Sequence, residues 1–130
     1  MNKKLRDELF DTIYNTAQAK GALAAAACVP VPMVVEERVN MADDNSPVKQ
    51  SWFVADGVCG FAWVVVRPGT SSFARWLVKN DYAGPRYYGG VSIWIGGYNQ
   101  CHQKKAAHAH AMAEYLRGVG IKASAGDRLD

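Results

Sequence analysis

Thiols and imidazoles are the side chains best suited to attack a carbon centre or to hold a metal, and Cys101, His102, His108 and His110 fall within ten residues of one another. A metal needs ligands that converge. On a helix, residues two apart point about 200° from each other, so His108 and His110 cannot grip one ion. His110 falls instead beside Glu114, as a surface pair. Cys101 and His102 are adjacent, a spacing at which side-chain atoms seldom meet productively, and nothing near them resembles an oxyanion hole. Cys59 lies in Cys-Gly-Phe-Ala within an apolar run, without the strand-to-helix turn that exposes a nucleophile, and reads as a buried thiol. Glu37 shares its parity with apolar neighbours and reads as the end of an edge strand emerging into water. The glycine pairs Gly89-Gly90 and Gly96-Gly97 flank a strand and do not open a helix, so they make no phosphate cradle. The expectation is no metal, no cofactor and no catalytic centre.

A different chemistry is carried by Asp81 to Gly90, DYAGPRYYGG, which its glycines and proline mark as a loop. Arg86, Tyr87 and Tyr88 lie at its tip, and Lys79, Tyr82 and Trp94 are close in sequence. Rings beside arginine serve as stacking platforms for bases and as anchors of protein interfaces. These six residues are the candidate binding site.

The elements that must position them follow from periodicity. Val58 to Val66, VCGFAWVVV, is uncharged, rich in β-branched and aromatic residues, and closed by Arg67, Pro68 and Gly69. That pattern predicts a central strand covered on both faces. Asn2 is a suitable N-cap for a helix with Leu5, Leu9, Ile13 and Ala17 on its apolar stripe. Gly21 is a candidate bend or stop, and Pro30 and Pro32 forbid continuation. Met33 to Val39 and Val48 to Ala55 read as a hairpin around the polar turn 40–47, which contains Asp43 and Asp44, and Asp56-Gly57 leads on into the central strand. Three antiparallel strands in sequence order are expected from this.

Thr70, Ser71 and Ser72 offer N-caps for a helix with Phe73, Trp76 and Leu77 on its apolar face, which stops near Asn80. Val91 to Ile95 is a strand with Val91, Ile93 and Ile95 on one face and Ser92 and Trp94 on the other. Gln103 to Gly118 is a helix whose stripe is Ala106, Ala109, Met112, Ala113 and Leu116. Ile121 to Ala125 forms a last short strand before a charged tail. The order α-β-β-β-α-β-α-β predicts one α+β domain over residues 1–130, a mostly antiparallel sheet with helices packed on one face.

Composition agrees with that class. The chain has 130 residues, 49% hydrophobic and 21% charged, and no run long enough to span a bilayer. Three cysteines at spacings that match no metal motif predict free thiols and a cytosolic protein. Residues 1–56 carry six basic and eight acidic groups (−2), and residues 57–130 nine and four (+5). The basic half suits an acidic protein surface or nucleic acid.

The stretches DGVCGFAWV (56–64), FARWLVKNDYAGPRYYGGVSIWI (73–95) and IKASAGDRLD (121–130) resemble a loose family of small proteins encoded by bacteriophages and mobile elements. The family has no assigned activity, so no functional residue comes with it. What the resemblance implies is a setting: a non-enzymatic phage protein that binds a host protein or ribonucleoprotein complex in the host cytosol, for example as an inhibitor of a CRISPR-type defence system. The rival classes are a nucleic-acid binder that uses the basic, aromatic second half, and a small enzyme without a recognisable motif.

Overall fold

Asn2 opens helix α1 (Lys3–Ala27), its Oδ1 accepting the Leu5 N–H at 2.9 Å. The computed structural model describes residues 2–38, 48–54, 57–87 and 89–130, with backbone alone at 33–38, 48–54 and 86–87. The turn 40–47, Asp56 and Tyr88 lie outside the described residues, as does the side chain of Glu37. Strands β1 (Met33–Arg38) and β2 (Val48–Val54) pair antiparallel as expected, with Val35 opposite Trp52.

They form a sheet of their own, which corrects the expected run of three sequential strands. The next strand, β3 (Gly60–Arg67), belongs to a second sheet with β4 (Gly84–Tyr87), β5 (Gly90–Trp94) and β6 (Lys122–Leu129). Its order is β4-β5-β3-β6 and every pairing is antiparallel. Helix α2 (Ser72–Lys79) joins β3 to β4, and α3 (His102–Gly118) joins β5 to β6. From residue 60 onward the connectivity is therefore βαββαβ, with the first and third strands in the centre: the ferredoxin-like arrangement. The α+β class holds.

Two strands differ from the sequence reading. The expected loop Asp81 to Gly90 contains β4, which returns through a tight turn at Gly89 (φ +79°), a left-handed conformation that glycine adopts without strain. The expected charged tail is the second half of β6, paired along β3 from Lys122↔Arg67 to Leu129↔Gly60. The central strand starts at Gly60, later than expected, and Val58 is exposed.

Alternation along β3 divides the molecule. Ala62, Val64 and Val66 join Val91, Ile93 and Ile95 of the neighbouring chain segment in a core closed by Phe73, Trp76 and Leu77 of α2 and by Ala109, Met112, Ala113 and Leu116 of α3. Truncating a side chain such as Leu77 to Ala would cost about 2–5 kcal/mol. Ser71 caps α2 as expected, its Oγ accepting the Ala74 N–H at 3.2 Å.

Helix α1 lies antiparallel to α3: Lys104 Nζ donates to the carbonyls of Ala25 and Cys28, and further along the pair His108 meets Gln18. The expected stripe of α1 is only half right, because Leu5 and Leu9 are exposed. Each four-residue step overshoots a full turn by about 40°, so a stripe at 5, 9, 13 and 17 winds away from a straight partner. What α1 buries is small, Ala17, Gly21 and Ala25, with Phe10, Ile13 and Tyr14 half-buried towards α2.

Gly21 neither bends nor ends the helix. It makes room for the His108 ring, and a Cβ there would lie 2.4 Å from His108 Cδ2. That ring cannot easily yield, since His108 Nδ1 is 2.8 Å from the Tyr98 hydroxyl and Nε2 is 2.7 Å from Gln18 Oε1. Because the Gln18 amide nitrogen donates to the Tyr14 hydroxyl at 2.9 Å, its oxygen must accept, so Nε2 carries the proton and Nδ1 accepts from Tyr98.

Two outcomes follow. Gly21→Ala should gain about 1 kcal/mol of helix propensity yet lower stability by about 1–3 kcal/mol, read from a denaturant midpoint; a more stable variant would contradict the packing. Burial lowers the pKa of His108 from its ordinary 6.5, so the unfolded chain takes up a proton that the folded one resists. Stability should be fully present above pH 6.5 and fall as pH drops towards the folded value, and this pH dependence should be weaker in His108→Gln across that window.

Candidate functional site

The face of the second sheet turned away from the helices carries a group of aromatic rings with cations beside it. Register places Phe61 opposite Arg128 and Trp63 between Gly126 and Trp94. The outer positions further along are Val65 with Ser92 and Ser124, then Arg67 opposite Lys122; Val65 and Ser92 are buried, so the open part of the face is its Trp94 end. No acidic residue occupies an outer position on β3, β5 or β6, since Asp127 falls on the helix side.

The rings form one group. Trp63 and Trp94 lie with centroids 5.1 Å apart at 41°, and Phe61 meets Trp94 edge-on at 6.4 Å. Gly126 permits the group, because a Cβ there would lie 2.6 Å from the Trp63 indole. The Arg128 guanidinium lies 5.2 Å from the Phe61 ring centre and the Lys105 ammonium 5.6 Å from it. Contacts of this kind attract a cation to a ring and here hold two positive groups beside the aromatics. Lys105 is itself buried and donates to Gln100 Oε1 at 2.9 Å. Trp94 is 50% exposed, so a large part of its ring meets solvent.

Of the six candidate residues drawn from the sequence, Trp94 lies on this surface, and Tyr88 and the side chains of Arg86 and Tyr87 lie outside the described residues. Tyr82 is on the helix side, stacked on Tyr14 of α1 at 4.1 Å and 11°, and 5.6 Å from Trp76. Lys79 ends α2, exposed, beside an open cleft of about 660 Å³ shared with Arg75 and with the apolar Pro68, Val78, Pro85 and Val91. Arg86 and Tyr87 are on β4, described by backbone, where Tyr87 pairs with Gly90. The expected patch is therefore divided, with Tyr82 and Trp94 on opposite sides of the sheet.

Phe61, Trp63, Arg128 and Lys105 were missed as site residues. For Phe61 and Trp63 the signal was present in the period-two alternation of FAWVVVR, which puts rings on one parity and small or branched residues on the other; Arg128 and Lys105 lie on distant elements and carried no such local signal.

At the end of the sheet near Phe61, Asp127 joins two histidines, with His102 Nε2 at 2.9 Å from Oδ1 and His110 Nε2 at 3.3 Å from Oδ2. His110 thus meets Asp127 and not the expected Glu114. Burial alone raises the Asp127 carboxyl, but hydrogen bonds and positive charge from His102 and His110 outweigh it and hold its pKa below the ordinary value. Among the described residues no group of three His, Cys, Asp or Glu side chains is placed to hold a metal ion. Cys59, expected buried, is exposed, because β3 begins only after it. No described helix is long and apolar enough to cross a membrane.

No protein-family model matches the chain, and neither the curated proteins nor the solved structures searched contain a match. The site thus rests on its own geometry. Gly126→Ala should push the Trp63 ring from its seat, weaken the Trp63–Trp94 coupling band in near-ultraviolet circular dichroism, and cost about 1–3 kcal/mol of stability. An unchanged band would mean that the glycine does not position the ring.

Proposed function

We propose that the protein binds single-stranded nucleic acid on the outer face of its four-stranded sheet. The observation that carries this reading is Trp94, half exposed on a central strand and buttressed by Trp63 and Phe61, with the Arg128 guanidinium over the Phe61 ring. A flat aromatic face offers stacking to any base, and nearby cations attract the phosphates. A four-stranded antiparallel sheet with rings on its two central strands is the arrangement that RNA-recognition domains use to stack two or three bases. Here those strands are β3 and β5. The absence of acidic residues from the outer positions of β3, β5 and β6 removes the repulsion that phosphates would otherwise meet.

A second reading keeps a host protein or ribonucleoprotein complex as the partner, as the phage-like sequence suggests. It draws on the cleft beside Lys79, whose apolar wall of Pro68, Val78, Pro85 and Val91 suits a protruding side chain.

Fluorescence anisotropy with labelled single-stranded DNA and RNA, against duplex, distinguishes the two. Affinity should fall steeply from 50 to 200 mM salt, as expected where counterions are released. Trp94→Ala should weaken binding about tenfold or more through lost stacking. Arg128→Ala should reduce the logarithmic salt slope by about 0.7 if it meets one phosphate. No binding at low salt, or full affinity in Trp94→Ala, would reject the sheet face. Partner capture that survives nuclease and is lost on substitution of Lys79 would favour the cleft.

A further inference from the structure

Cys59 and Cys101 face each other as an isolated antiparallel bridge, one just before β3 and the other just before α3. The His102 N–H donates to the Val58 carbonyl at 3.1 Å, which is the bond that flanks a non-hydrogen-bonded pair. In such a pair the two Cα atoms lie about 4.5 Å apart and both side chains leave the ladder on the same side. A disulfide requires Cα atoms within about 4.4–6.8 Å, so this backbone already lies in that range.

We propose that Cys59 and Cys101 form a peroxide-oxidisable dithiol whose product is a disulfide between the first strand of the βαββαβ unit and the N-terminus of α3. The two thiols differ in access, since Cys59 is exposed and Cys101 is 1% exposed. Cys59 is therefore the sulfur that meets the oxidant. Its thiolate attacks one oxygen of a hydroperoxide, the O–O bond breaks, and the product is a sulfenic acid plus an alcohol or water. Cys101, deprotonated, then attacks the Cys59 sulfur, the S–S bond forms, and the sulfenic oxygen leaves as water. Two thiols lose two protons and two electrons in all, and the peroxide takes them up to become water and an alcohol, or two waters.

The surroundings favour closure over further oxidation. The Asp130 N–H donates to the Cys59 carbonyl at 3.0 Å and holds that residue beside β6. On the other side, the turn before Cys101 holds three consecutive non-glycine residues with positive φ, Tyr98 (59°), Asn99 (50°) and Gln100 (66°). Such backbone persists only where its surroundings fix it. Here the Tyr98 hydroxyl is bound by His108 and Gln100 Oε1 by Lys105, so the turn delivers Cys101 in one place. The proposal is independent of whether the sheet binds nucleic acid.

The test is to treat the purified full chain with a small excess of hydrogen peroxide, then to block free thiols and map peptides without reduction. The expected result is a Cys59–Cys101 cross-link, a rise in the thermal midpoint of about 10 °C, and reversal of both by dithiothreitol. Cys28→Ser should retain the cross-link. Cys59→Ser, which changes an exposed side chain and so preserves the fold, should abolish both the cross-link and the thermal shift. A cross-link through Cys28, a disulfide between two molecules, or accumulation of sulfinic acid at Cys59 without closure would each overturn the assignment.

Discussion

Strand β3 is hydrogen-bonded on both edges, to β5 and to β6, and everything else in the βαββαβ unit is arranged by that fact. A strand paired on both sides has no free backbone groups, so its side chains alone decide what lies above and below it. One parity, Ala62, Val64 and Val66, is small or branched and takes the helices at close range. The other, Phe61, Trp63, Val65 and Arg67, cannot enter that core without a one-residue slip that would bury an arginine. The register is thus fixed by the cost of the alternative as much as by the gain of the native pairing. The aromatic outer face is a consequence of the same choice.

Close approach does much of the remaining positioning, and at three of the glycines it admits a ring. Gly21 admits His108 into the α1–α3 seam, Gly126 admits Trp63 onto β6, and Gly60 lies where a Cβ would be 2.6 Å from His102 Cδ2. In each case the missing side chain is replaced by a ring from another element. The rings then find polar or aromatic partners of their own: His108 with Gln18 and Tyr98, Trp63 with Trp94, His102 with Asp127. Shape and hydrogen bonding agree at these points, which makes the packing specific as well as dense.

How much of this was legible in the sequence depends on whether the signal was local. Helices α2 and α3 and strand β5 follow their periodicity because capping and alternation are properties of a few adjacent residues, and Ser71, Trp94 and Gly118 stand where that reasoning puts them. Strand β4 was hidden because Gly-Pro-Arg-Tyr reads as a turn, and only pairing with β5 at the sheet edge, where proline is tolerated, makes it a strand. The last half of β6 was hidden for a similar reason: Gly126, Asp127 and Arg128 have poor strand propensity, and contacts with Trp63, the two histidines and Phe61 override it. Missing β4 concealed the βαββαβ order, and with it the reason that Phe61, Trp63 and Trp94 share a surface. Tyr82 and Trp94, close in sequence, were separated because Tyr82 stacks on Tyr14 of α1 whereas Trp94 takes the outer parity of β5.

The turn at 98–100 connects the two sides of the molecule. Its left-handed residues are held at one end by Tyr98, which leads through His108 and Gln18 to Tyr14 and the helix layer. At the other end Gln100 leads through Lys105 to the ring of Phe61 and the outer face. A strained turn relaxes when either anchor is lost, so the polar chain in the helix seam and the cation at the aromatic surface stabilise the same piece of backbone. The helix seam and the Phe61 end of the outer face thus meet in one short segment fixed from both ends.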